Sequence, residues 1–269
     1  MKSFRHDQFQ AAFQGLAIAD ALTQGPPAIR AWVQRGAPQT EPLPPCRDWL
    51  SGFKASFATA VEPALPRAAG TPGEGLFALP PGEWGVIASL PILLRFLDAP
   101  AQGWAILAPH LDDTAQATAT VLASILARGV SNPGAIAQPQ VVPPESATTA
   151  QTAIALAVQC VTAAQGSVDL GLRLGLRWAP RSPSIPLLVG ILAGGTAGLA
   201  GIPTHWRWAI AHHPAIAPWH QARWQLLPDV NLTAASTQLW QQWAGYHRRA
   251  PESSRPLSAG TWPISSTAS

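Results

Sequence analysis

Apolar residues along this chain come in blocks at helical spacing, divided by proline-rich breaks. Phe9, Ala12, Phe13, Leu16 and Ala17 recur at i, i+3, i+4, i+7 and i+8, which predicts an amphipathic helix. Gly25 supplies its C-cap, and Pro26-Pro27 forbids continuation. Further helices are predicted over about 28–35 and 48–60, with a loop over 37–45 between them. Residues 63–82 hold five prolines and four glycines and read as a long loop. Residues 84–97 are apolar again, with Pro91 near a helix start. Asp112-Asp113-Thr114 opens an Ala-rich helix to about residue 127, its acidic residues at the positive end of the helix dipole. After a Pro-rich break at 132–145, helices are predicted over 147–164 and 168–177. A break at 180–186 follows, and then a Gly/Ala helix.

In that last helix Gly190, Gly194 and Gly198 fall every four residues. One face therefore lacks side chains, and all three glycines are expected to face a closely packed neighbouring helix. Trp206, Trp208, Trp219, Trp224, Trp240 and Trp243 load the C-terminal third with aromatic bulk. The chain has no convincing strand alternation, so the predicted class is all-α. One domain is expected over residues 4–249, and the Ser/Pro/Thr-rich residues 250–269 are expected to be a disordered tail.

Composition narrows the functional classes. Apolar residues make up 47% of 269, enough to bury a sizeable core, while charged residues are 12%, about half the usual ~25%. A net charge of +3 is too small to argue for a nucleic-acid partner, despite a pI near 9.4. Cys46 and Cys160 are far apart and too few for a disulfide framework, which points to reduced thiols and a cytoplasmic location. Polar residues 7, 8, 10 and 14 interrupt any signal-peptide core. The uncharged stretch 187–202 is short of the ~20 residues that span a bilayer and is built of Gly and Ala. It is expected to be a buried core helix, with no membrane partner.

Three segments, in order, resemble the ADP-ribosylglycohydrolase family. Residues 15–22, Gly-Leu-Ala-Ile-Ala-Asp-Ala-Leu, are similar to that family's opening "GLAxGDALG", with Ala19 for the second Gly and Asp20 kept. His110, Asp112 and Ala115 match its "THxDPxA", with Pro109 in place of the Thr. Residues 190–194, Gly198 and Ile202-Pro203-Thr204-His205-Trp206 resemble "AGALAGAxxGxxxIPxxW". The resemblance implies a single orthogonal multi-helix domain of ADP-ribosylglycohydrolase type. It also implies a cleft in which two divalent metals, usually Mg²⁺, assist hydrolysis of a glycosidic bond to ADP-ribose. Such hard cations require oxygen ligands, mainly carboxylates.

The family takes those carboxylates from an early "TDDT" and from a "DxDT" directly before the Gly/Ala helix. Counting back from Gly190, the late motif falls on Arg181-Ser182-Pro183-Ser184. Both aspartates are replaced, and only Ser184 keeps a hydroxyl. An arginine beside a dication site costs on the order of several kcal/mol at low effective dielectric. The early motif falls on Cys46-Arg47-Asp48-Trp49, which keeps one carboxylate, Asp48. The family's "NGAAMRxAP" reads Glu83 to Pro91, with Glu83 for the Asn and Ala88 for the Arg. Leu111-Asp112-Asp113-Thr114 is itself close to "TDDT", but it lies after the Pro91 segment, and we read it as a helix N-terminal cap.

These substitutions lead to the expectation of a non-catalytic pseudoenzyme, holding a nucleotide-like ligand or a protein partner and needing no cofactor. Asp20, Asp48, Glu83, His110, Asp112, Asp113, Arg181 and Ser184 are the candidates for the vestigial cleft. Arg181 is free there to pair with Asp48 or Asp20, or to bind an anion. The alternatives are an active Mg²⁺-dependent ADP-ribosyl hydrolase, in which Asp48, Asp112 and Asp113 converge on a metal, and a helical scaffold unrelated to the family. His205, His212, His213 and His220 crowd together but lack zinc-ligand spacing and are expected to pack. The Trp/Arg mixture at 206–224 is read as packing and cation–π contact rather than base stacking.

Overall fold

In a computed structural model, described over residues 6–25, 49–61, 79–131, 149–214, 216–226 and 231–244, the opening periodicity forms helix α1 (His6–Gln24), closed where the Gly25 amide donates to the Ala21 carbonyl at 2.9 Å. The helix predicted over about 28–35, the loop over 37–45, the break at 132–145 and the 250–269 tail lie outside the described residues. Then come α2 (Trp49–Val61), α3 (Glu83–Ala88), α4 (Leu90–Arg95), α5 (Pro100–Leu107), α6 (Asp113–Ser131), α7 (Thr149–Ala163), α8 (Val168–Leu176), α9 (Ser184–Gly201), α10 (Thr204–His212), α11 (Ala217–Arg223) and α12 (Leu232–Trp243). No strand occurs among the described residues, so the all-α expectation holds.

Local chemistry sets several boundaries. Ser167 caps α8 by accepting the Leu170 amide at 3.3 Å, and Asn231 caps α12 by accepting the Ala234 amide at 2.9 Å. The apolar stretch 84–97 divides at Ser89, and Pro91 sits in the first turn of α4, where a missing N–H costs nothing. The expected break at 180–186 is shorter than predicted. Helix α9 starts at Ser184 and includes Pro186 in its first turn, where backbone amides have no partner within the helix.

Helices α1 and α9 form the central pair, with α7 and α8 on the flank of α9, α12 against α1, and α2 against α3 and α4. Gly15 and Gly190 abut backbone to backbone, and Gly194 lies on the Ala11 carbonyl. A Cβ on any of these three would overlap the opposing carbonyl oxygen. Gly198 also faces α1, as expected, but its backbone departs from the helix. Its φ of 69° interrupts the α9 helix, and it faces the side chains of Asp7 and Gln8 instead of a helix backbone. One hydrophobic cluster runs from Phe9 to Leu239. An aromatic knot seals it, with Phe53 edge-on to Phe13, Trp49 and Trp224 at 5.5–5.8 Å. Helix α9 is apolar and long enough to cross a membrane, with a mean hydropathy of 1.6, yet 72% of it is buried inside the protein.

Candidate functional site

Three helix starts meet at one end of the bundle and bring together candidates that are distant in sequence. Glu83 opens α3, Asp112 precedes α6 and Ser184 opens α9. The Ser182 hydroxyl donates to the Glu83 carboxylate, 3.2 Å from Oε2 and 3.3 Å from Oε1. Ser182 and the buried Ser184 share a hydrogen bond of 2.8 Å. Burial pushes the Glu83 carboxyl above its ordinary range, while the hydroxyls of Ser184 and Ser182 oppose that shift.

Asp112 is the N-cap of α6. Its Oδ1 accepts the Ala115 amide at 2.7 Å, and its Oδ2 accepts the Gly82 amide, next to Glu83, at 2.9 Å. The amides of Ala115 and Gly82 hold this carboxyl below its ordinary range. Asp113 is exposed in the first turn of α6. His110 ends the short turn Ala108–His110, which Gln116 ties down by donating to the carbonyls of Leu111 at 2.9 Å and Ala108 at 3.0 Å.

Asp20 does not join this cluster. It is fully buried in α1 and receives both nitrogens of Arg223 in a forked pair, Nε at 2.6 Å and Nη2 at 2.9 Å. Burial pushes its carboxyl up, and the Arg223 guanidinium and Trp224 pull it back. Arg223 also lies over the Trp219 ring at 5.5 Å. Arg181 therefore does not pair with Asp20. It is exposed, with its guanidinium 5.8 Å from the Trp178 ring centre. Asp48 lies outside the described residues, and its neighbour Trp49 belongs to the aromatic knot.

Sequence reasoning missed two participants. Ser182 was placed only as the spacer of a lost motif, and its step of two from Ser184 at a helix start was the signal for a shared turn. The choice of Arg223 as the Asp20 partner, 203 positions away, has no local signal at all.

The donors at the three-helix end do not fit a pair of dications. Among the described residues they are one carboxylate from Glu83, two serine hydroxyls, and Asp112, each of whose oxygens already accepts a backbone amide. No group of three or more His, Cys, Asp or Glu side chains converges among the described residues. The arrangement can present hydrogen-bond donors and one carboxyl to a polar ligand. The chain matches no protein-family model, no curated protein and no solved structure.

Proposed function

We propose that this protein is an ADP-ribosylglycohydrolase-like pseudoenzyme that acts by binding, with a nucleotide-like ligand or a protein partner held at the helix end around Glu83. The observation that carries this reading is the state of the late-motif positions. Arg181 faces Trp178, Pro183 is the N-cap of α9, and Ser184 is hydrogen-bonded within the Ser182–Glu83 network. Among the described residues one carboxylate, Glu83, meets these positions, where the family has two aspartates. Fold alone does not carry activity once the site residues are exchanged.

A melting series with ADP-ribose, with Mg²⁺ and with both tests the reading. ADP-ribose is expected to raise Tm by itself, and Mg²⁺ to add nothing. A large Mg²⁺-dependent rise, together with release of ADP-ribose from a modified protein, would establish the active hydrolase instead. The double variant Arg181→Asp/Pro183→Asp is expected to gain no turnover, because the early motif is also degraded. Turnover in that variant would make Asp112-Asp113 the second half of a working site.

A further inference from the structure

A groove of about 510 Å³ lies between α7 and α8 and reaches Arg181. Leu156, Cys160 and Leu174 form its apolar wall, and Arg177, Trp178 and Arg181 its polar edge. None of its lining residues is acidic. Arg173, one turn earlier, is neutralised by Asp169 at 3.0 Å, but among the described residues the Arg177 side chain has no hydrogen bond or ion pair, and the Arg181 side chain has the Trp178 ring. In a chain with 12% charged residues, two guanidinium groups beside an indole and an apolar wall, with no acidic residue in the lining, form a specific combination. Guanidinium forks match planar oxyanions, and an indole face takes a ring or a short chain.

We propose that this groove binds a small organic anion, its phosphate or carboxylate head on Arg177 and Arg181 and its apolar body on Trp178 and Leu174. Glu83 takes no part; Arg181, a candidate for the vestigial cleft, lines this groove instead. Head and body contribute separately, and neither an inorganic anion nor an uncharged ring alone satisfies both halves.

Calorimetric titration of the full chain with phenyl phosphate, benzoate, inorganic phosphate and benzyl alcohol tests this. Saturable binding of phenyl phosphate or benzoate is expected, and the tighter of the two identifies the head group. Inorganic phosphate should bind roughly tenfold or more weakly, and Arg177→Gln/Arg181→Gln should weaken the aryl anion by about the same factor. Both arginines are exposed, so the double variant should keep its Tm; if it does not, Arg177→Gln alone carries the comparison, since among the described residues its side chain has no hydrogen bond or ion pair to lose. Glu83→Gln should leave aryl-anion binding unchanged, which separates this groove from the helix-end cluster. The proposal is overturned if neither aryl anion binds saturably, if the arginine variants bind equally well, or if inorganic phosphate matches phenyl phosphate.

Discussion

A carboxylate with no exposed surface costs several kcal/mol in the middle of a helix unless a cation and hydrogen bonds meet it. Asp20 is such a residue, and Arg223 supplies both through its forked contact, with about a quarter (27%) of its own side chain still exposed. Removing Arg223 alone therefore strands the charge. Arg223→Met is expected to lower the unfolding free energy by about 3 kcal/mol, and adding Asp20→Asn should recover part of that loss. Denaturant titration of the three variants checks this, and a double variant no more stable than Arg223→Met would contradict it. His220, one turn before Trp224 and stacked on it at 6.5 Å, carries the opposite problem. Its Nε2 is buried without a partner among the described residues, and burial holds the imidazole down at about 4. The unfolded chain binds the proton near pH 6.5 and the folded chain only near 4, so stability is full above about 6.5 and is lost as pH falls toward 4. The loss amounts to roughly 3 kcal/mol at most. His220→Phe keeps the ring and removes the titration, so its denaturation midpoint should fall less than that of the wild type between pH 7 and pH 5. Glu83, raised by burial, acts in the reverse sense and equally in both proteins.

At the scale of the element, the α1–α9 contact depends on what is missing from it. Replacing glycine by alanine inside a helix ordinarily gains up to ~1 kcal/mol of propensity. At Gly190 the new Cβ would overlap the Gly15 carbonyl and also stand 3.0 Å from the Ala19 Cβ. Backbone cannot swing aside as a flexible side chain can, so the overpacking cost of about 1–3 kcal/mol or more outweighs the propensity gain. Gly190→Ala is expected to be destabilising by about 2 kcal/mol. Gly171, in α8, provides the control, because a Cβ there meets Val189, Ala164 and Ala193 only at 3.5–4.0 Å. Gly171→Ala should be neutral or slightly stabilising. Equal melting points for the two variants would show that α1 and α9 can move apart at no cost.

At the scale of the whole molecule, α9 organises the rest. Its composition satisfies the length and hydropathy of a membrane-crossing helix, but α1, α7 and α8 cover it, and its small residues draw these neighbours inward. The same helix holds Ser184 at its first position, so burying its body places its start among α3 and α6. The three-helix cluster around Glu83 is thus a consequence of core packing. The groove with Arg177 and Arg181 is lined by α7, by the end of α8 and by the turn that feeds α9.

The local pattern of this chain determined its all-α class, the extent of α1, the Asp112 helix start and the close approach at Gly190 and Gly194, because periodicity, caps and missing side chains act over a few residues. Prolines were less decisive: Pro186 reads as part of a break but sits in a first turn that tolerates it, whereas Pro91 lies at the helix start expected there. Gly198 matched the spacing of a packing stripe, yet its positive φ makes it the place where the helix is interrupted, and spacing carries no information about φ. Only the tertiary structure decided that Asp20 belongs to Arg223 and not to Arg181, and that Glu83 meets Ser182. These pairings join residues 203 and 99 positions apart. They are fixed by which helices cover α9 and α1, and burial then forces each enclosed charge to accept the partner that packing brings within reach.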